Sequence, residues 1–299
     1  MPSRRFSRSH QLSCLLAFGL VATSGIVPGG VPQQPLLVRV NVSAFDATGK
    51  PLTDLRLEEF TVREAGREQP IRRFLPPQAP LKIVLLIDTS ASMIEWLRPV
   101  TEQLVDFILS LGPYDEVSVI SFSSNVTLET DFTFNPERLQ TVLKKLEPAH
   151  DPRDVTKLYD AVAIALERLT EQGRARTALL LVTDGEDAGS REAKRDETLD
   201  LASRSFVTIY PIYATRRRGG KNDYLERLAQ ATGGEWYRTD ATLPRELGAL
   251  ARHLRYHYVL GYAPTVSESP AGKIPIEVRA SRSDARLTAT TGYRLFIKK

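Results

Sequence analysis

Two rhythms of apolar and polar residues divide the chain. From Leu36 to Ala44 every second residue is apolar (Leu36, Val38, Val40, Val42, Ala44), with Arg39, Asn41 and Ser43 between them, which predicts a half-buried strand. "DATGKP" reads as a turn, and "EEFTVREAGREQPIRRF" as further short strands around a turn at Gly66. The Pro-rich "LPPQAP", Leu75 to Pro80, then marks a boundary. From Leu81 onward, near-continuous apolar runs ("LKIVLLID", "EVSVISF", "TALLLVTD", "FVTIYPIY") predict strands covered on both faces. Between and after them apolar residues recur every three or four positions, as in Leu97, Val100, Leu104, Ile108 and Leu111. The same helical spacing holds for Leu139, Val142 and Leu146, for Leu158, Val162, Leu166 and Leu169, and for Leu243, Leu247, Leu250 and Leu254. A more polar stretch from Arg191 to Arg204 predicts an exposed helix. Beyond residue 255 the period of two returns in "YHYVLGYAP", in Ile274, Ile276, Val278 and Ala280, and in "RLTATTGYRLFI".

Strands alternating with helices predict a doubly wound α/β domain over about residues 81–255. The strand-rich flanks, about forty residues each, are small for independent folding, and each has an apolar face that needs a partner. They are therefore expected to pack together as one β-sandwich. The resulting division is a signal peptide over 1–30, an N-terminal β-rich segment over 31–78, the α/β domain over 79–255 and a C-terminal β-rich segment over 256–299.

The targeting reading rests on Arg4, Arg5 and Arg8 ahead of the apolar run "LSCLLAFGLVATSGIV", followed by "VPGGVP". It predicts a secreted, periplasmic or envelope protein, in contact with a membrane only if the run, close to the ~17-residue minimum for a span, is kept as an uncleaved anchor. Without residues 1–30 the 40 Lys and Arg fall by three, to 37 against 36 Asp and Glu, so the pI near 9.1 carries little weight. No basic helix suited to tracking phosphates is visible, and no nucleic-acid partner is expected. Cys14, the single cysteine, lies within the apolar run, too early for a lipobox. A mature chain would have no thiol for disulfides, nucleophilic catalysis or zinc.

Candidate chemistry begins in "LLIDTSASM", where a buried strand ends in Asp88, Thr89, Ser90 and Ser92. An Asp-x-Ser-x-Ser spacing can aim three oxygens at a hard cation such as Mg²⁺, but Asp and Ser are equally common as caps and turn formers. Ligands of open α/β sheets gather at the carboxyl ends of the strands, where Asp184 in "LLLVTDGED" and Thr156 in "HDPRDVTKLYDA" could join the first group.

"DTSAS", "TKLYDA" and "LLLVTDGED", in that order, resemble the metal-ion-dependent adhesion site of a von Willebrand factor type A (VWA) domain. The resemblance implies a Rossmann-like fold and a metal site made of Asp88, Ser90, Ser92, Thr156 and Asp184. "GKPLTDLRLEEFTVREAG" before the domain, and "YVLGYAP" through "TGYRLF" after it, resemble the bacterial VWFA-related acidobacterial-type proteins. The implied cofactor is a divalent metal, Mg²⁺ first with Mn²⁺ or Ca²⁺ as alternatives, and the implied partner is a protein presenting an Asp or Glu. One departure stands out: many relatives have Gly just before the threonine, where this chain has Arg153, Asp154 and Val155. Losing glycine's freedom there could shift Thr156 or bring Asp154 toward the metal.

The expected function is metal-dependent protein binding without catalysis and without a small-molecule substrate. One alternative is an envelope scaffold with a structural metal. Another is a Mg²⁺-dependent hydrolase, disfavoured because the second aspartate of aspartate-nucleophile phosphohydrolases is replaced by Ser90. His253 and His257 have zinc spacing but straddle the change from helix to strand, and are expected to be structural. "RRRGGK" lacks the order of a phosphate loop and, as a charge run, reads first as a solvated loop; because the run follows a strand on the metal's edge, Arg216, Arg217 and Arg218 are also candidates for partner binding. Trp96 could face either the core or the rim.

Overall fold

The computed structural model of the chain describes residues 4–5, 37–151, 155–173, 175–216, 220–265 and 274–293. In chain order the elements are β1 (Arg4–Arg5), β2 (Val38–Phe45), β3 (Phe60–Glu64), β4 (Arg67–Gln69), β5 (Ile71–Leu75), β6 (Leu81–Asp88), α1 (Leu97–Leu109), β7 (Glu116–Phe122) and β8 (Val126–Thr133). They continue with α2 (Pro136–Lys145), α3 (Leu158–Thr170), β9 (Arg176–Thr183), α4 (Arg195–Arg204), β10 (Thr208–Tyr213), α5 (Asp223–Thr232) and β11 (Tyr237–Arg238). The last are α6 (Leu243–Tyr256), β12 (His257–Tyr262), β13 (Ile274–Ala280), β14 (Arg286–Ala289) and β15 (Gly292–Tyr293). The apolar run of the expected signal peptide lies outside the described residues. Among them, no helix is long and apolar enough to cross a membrane.

The central sheet has the order β1-β8-β7-β6-β9-β10-β11, with β7, β6, β9, β10 and β11 parallel and β8 antiparallel to β7. β6 lies in the middle, and successive side chains serve opposite layers. Ile83, Leu85 and Ile87 join the core under α1, α2 and α6, while Val84 and Leu86 join the core under α3, α4 and α5. Two-sided covering is why the strand sequences are apolar at nearly every position. The chain leaves β6 toward β7 on one side and reaches β9 on the other. The crevice beyond the carboxyl ends of β6 and β9 is thus a topological switch point.

Helix α5 is not foreseen by the spacing analysis, although both of its ends are well specified. Asn222 accepts a hydrogen bond from the Leu225 amide (3.2 Å), and Gly233, at φ 70°, ends the helix in the left-handed region. The polar stretch expected as an exposed helix becomes helical only from Arg195, and it buries Thr198, Leu199 and Ala202. Its first residues are held as a loop because the Asp160 carboxylate accepts from the amides of Arg191 (3.2 Å), Glu192 (3.0 Å) and Ala193 (2.8 Å).

The flanks combine into a β-sandwich of two antiparallel four-stranded sheets, β14-β2-β12-β5 and β15-β13-β3-β4. Each sheet draws strands from both sides of the α/β domain. Val38, Val40, Val42, Phe60, Val62, Tyr258, Leu260, Tyr262, Ile274 and Ile276 form the core between them. Within it the Tyr258 hydroxyl donates to the Leu52 carbonyl (2.8 Å) and accepts from the Leu55 amide (3.1 Å), fixing the approach to β3.

β2 corrects the half-buried expectation, since Arg39, Asn41 and Ser43 on its polar face are also buried. They point into the α/β domain and are satisfied there. Arg39 Nη1 donates to the Phe206 carbonyl, Asn41 Nδ2 donates to Thr208 Oγ1 (3.1 Å), and Ser43 Oγ lies 3.0 Å from His253 Nδ1. Buried polar groups are tolerated only when so paired. His253 and His257 stack with ring centroids 4.9 Å apart, and His257 Nδ1 lies 3.0 Å from the carbonyls of His253 and Leu254. Burial, together with Arg39 and Arg176, holds both imidazoles neutral, His253 at about 4. The pair joins the two units.

Truncation after Arg255 would remove β12 from the middle of its sheet and uncover Val38, Val40 and Val42. The truncated chain is expected to aggregate, as size-exclusion chromatography would register. A soluble fragment with one cooperative melt would contradict the shared sandwich core.

Candidate metal centre

Asp88 ends β6 with no solvent exposure. Each carboxylate oxygen has a protein donor: Oδ1 accepts from the Ser90 amide (2.8 Å) and Oδ2 from the Thr183 hydroxyl (2.7 Å). Burial nevertheless pushes its pKa up to about 6, with nearby Asp184 acting in the same direction and the Ser90 and Thr183 hydrogen bonds opposing. The site therefore concentrates negative charge where water does not screen it.

Thr183 is missed by the sequence reading, yet it joins the two strand ends. Its hydroxyl gives its proton to Asp88 and accepts from the Gly185 amide (3.0 Å). Gly185 has φ 79°, and a Cβ there would lie 2.1 Å from Asn222 Nδ2, so both conformation and space require glycine. The turn carries Asp184, half-buried, whose Oδ1 accepts from the Glu186 amide (3.1 Å).

After Asp88 the chain enters a short 3₁₀ turn, Ala91–Met93, which Met93 anchors in the core. Ser90 is buried, Ser92 is exposed, and their Oγ atoms lie 3.0 Å apart. Adjacent ligands of an octahedral ion with ~2.1 Å bonds are separated by about 3.0 Å, so the hydroxyl spacing fits such an ion. The same spacing is that of a hydrogen bond between the two serines. Among the described residues no three His, Cys, Asp or Glu side chains form a metal cluster. Any metal here depends on hydroxyls together with Asp88 and Asp184.

Backbone bonds tie the remaining loops to this turn. Thr89 donates through its amide to the Phe122 carbonyl (2.8 Å), and its own carbonyl accepts from Ala149 (2.7 Å). Thr156 is buried, and its carbonyl accepts from Ala188 (3.0 Å) and Gly189 (2.9 Å), joining its loop to the one after Asp184. Val155 packs on Gly189, where a Cβ would lie 2.4 Å from Val155 Cγ2. Arg153 and Asp154 lie outside the described residues. Asp187 Oδ1 accepts from the Tyr159 amide in the first turn of α3 (3.2 Å) and from the Ser190 hydroxyl (2.5 Å), whose oxygen accepts from the Asp160 amide (3.1 Å).

The rim is charged and partly apolar. Arg216 pairs with Glu95, joining the loop after β10 to the segment after Ser92, and Ile94 is 66% exposed beside it. Arg217 and Arg218 lie outside the described residues. Trp96 is partly buried against the core under α1.

A family model described as the von Willebrand factor type A domain matches residues 83–186, a span that contains Asp88, Ser90, Ser92, Thr156 and Asp184. The chain carries a von Willebrand factor type A domain. Around the VWA domain the fold resembles a von Willebrand factor type A structure from Catenulispora acidiphila, with 12% identity, 88% of this chain and 64% of that one covered, and a TM-score of 0.52. Proximal thread matrix protein 1 from the mussel byssus, in a structure with a zinc-occupied MIDAS motif, has 15% identity, coverage of 62% and 48%, and a TM-score of 0.50. The conserved hypothetical protein BatB from Bacteroides thetaiotaomicron has 17% identity, coverage of 58% and 97%, and a TM-score of 0.49. These likenesses concern the fold. No curated protein matches the chain.

In metal-free protein, Asp88→Asn is expected to raise the melting temperature at pH 7 by removing a buried charge. With its folded pKa raised to about 6, the wild-type penalty is complete above that pH and shrinks as pH falls from there to the ordinary carboxylate value of about 3.9, below which it is gone. Paired melts from pH 4 to 8 check this, and a wild-type-to-variant difference independent of pH would show that Asp88 is not a strained carboxylate.

Proposed function

We propose that the chain is an exported protein-binding module without catalytic activity, in which a divalent metal held by the VWA domain joins it to an acidic side chain of a partner protein. The observation that carries this reading is a solvent-shielded Asp88 beside two serine hydroxyls 3.0 Å apart, at the switch point of the sheet. Ser90, Ser92 and Thr156 would hold the ion through neutral oxygens, with Asp88 and Asp184 supplying charge directly or through water. Each Asp88 oxygen retains a lone pair beyond the bond it already accepts. Mg²⁺ suits an all-oxygen donor set, with Mn²⁺ and Ca²⁺ as alternatives. A bound ion supplies an electrophilic position that a carboxylate can fill.

The chain's own residues prepare that position. Thr183 and the Ser90 amide orient Asp88, and Met93 in the core fixes the serine turn. Exposed Ile94 and Val155 offer apolar contact beside the carboxylate. Arg216 is answered by Glu95, so its own share in steering an acidic partner is smaller than that of a free cation. Export is supported by the basic and apolar N-terminal sequence.

Mg²⁺ or Mn²⁺ at a hundredfold excess over Kd is expected to stabilise the folded chain by about 2.7 kcal/mol, and Asp88→Ala to abolish the gain. Pull-down from envelope extract should recover a partner with Mg²⁺ but not with chelator, and Asp184→Ala should lose both metal and partner. An unchanged melting temperature with either metal would contradict the proposed site. Replacing Arg216, Arg217 and Arg218 by Ser should slow association at low salt while leaving metal affinity nearly unchanged.

A further inference from the structure

At the edge of the parallel sheet opposite Asp88, the α/β domain and the sandwich enclose a cleft of ≈ 480 Å³. Its lining includes Arg72 and Arg73 from β5, Thr177 from β9, and Arg204, Ser205 and Phe206 at the end of α4; among the described residues that line it, none is Asp or Glu. Arg204 pairs with Asp200 one turn back on its helix. Among the described residues neither Arg72 nor Arg73 forms an ion pair. Arg73 lies over the Phe206 ring, 4.3 Å from its centroid, and donates to the Gly173 carbonyl near the end of α3.

A further cation stands behind the wall. Arg39 is buried, reaches the Phe206 carbonyl and Thr177 Oγ1, and lies over the same ring at 5.4 Å. Burial, with Arg73 and Arg176 nearby, pushes its guanidinium down to about 9. Phe206 holds these contacts at φ 55°, the left-handed region that a bulky residue adopts only when its surroundings impose it. Arg39 and Arg73 are thus met here by carbonyls, a hydroxyl and a ring, which orient guanidinium groups without neutralising them, whereas Arg204 shares its charge with Asp200.

We propose that this cleft binds a phosphate group. One carboxylate offers a single charge and two oxygens, whereas a phosphate offers up to two charges and three acceptor oxygens, matching several forked guanidinium donors and neighbouring hydroxyls. Because Arg72 and Arg73 come from the sandwich and Arg204 from the α/β domain, a phosphate held between them would also join the two units. This site is separate from the candidate metal centre and does not depend on its function.

The test uses the full chain in metal-free buffer, so that phosphate cannot bind at a metal. Inorganic phosphate, or glycerol 3-phosphate, is titrated against chloride at matched ionic strength while thermal unfolding is followed. A saturable rise in melting temperature of about 2–3 °C is expected at a tenfold excess over Kd. Arg72→Ser with Arg204→Ser should melt like wild type in chloride, because both side chains are exposed, and should lose the rise. Stronger binding of the ester would identify a phosphate carried on a larger molecule, and stronger binding of inorganic phosphate a free anion; both support the site. No saturable rise over chloride, or an undiminished rise in the double variant, would overturn it.

Discussion

The structure depends most on one buried carboxylate at the end of its central strand. Asp88 has no contact with solvent, so its charge is tolerable only if protein groups replace water. The Ser90 amide and the Thr183 hydroxyl do this from opposite sides, and each is fixed by the residues next to it in the chain. Ser90 begins a turn anchored by Met93, while Thr183 stands two residues before a glycine whose conformation and lack of a Cβ admit Asn222. Sheet topology puts the two strand ends side by side, and local chemistry then concentrates charge between them.

The sandwich contributes at the other end of the sheet. β2 is buried on both faces, one packed in the sandwich core and the other hydrogen-bonded to the α/β domain. An alternating sequence thus serves two interfaces, apolar toward one and polar toward the other. The polar face brings Arg39 to Phe206 and Thr177, so the junction is cationic where the opposite edge is acidic.

Much of this was legible in sequence where a single interaction set the pattern. The runs in β6, β7 and β9 reflect burial on both faces, and the spacing in α1, α3 and α6 reflects one covered face. The pairing of the flanks followed from two apolar faces without partners. α5 escaped notice because its buried positions, such as Leu225 and Leu228, come after a polar loop and lack a long leucine series. β8 pairs antiparallel with β7, and its mixed composition gives no continuous apolar run. Arg39, Asn41 and Ser43 read as solvent-facing because alternation records polarity and says nothing of a polar interface. At the candidate centre, the motif order pointed to Asp88, Ser90, Ser92, Thr156 and Asp184. Thr183 was not apparent, since its role arises only when β6 and β9 lie side by side.

The central claim is that oxygens at the ends of β6 and β9 hold one divalent ion. A crystal of the full chain grown with Mn²⁺ and measured at the manganese absorption edge tests it most directly. The account predicts one anomalous peak bonded to the Oγ atoms of Ser90 and Ser92, with Asp88 and Asp184 in direct or water-mediated contact. A fully occupied manganese site elsewhere, with none at these serines, would contradict it.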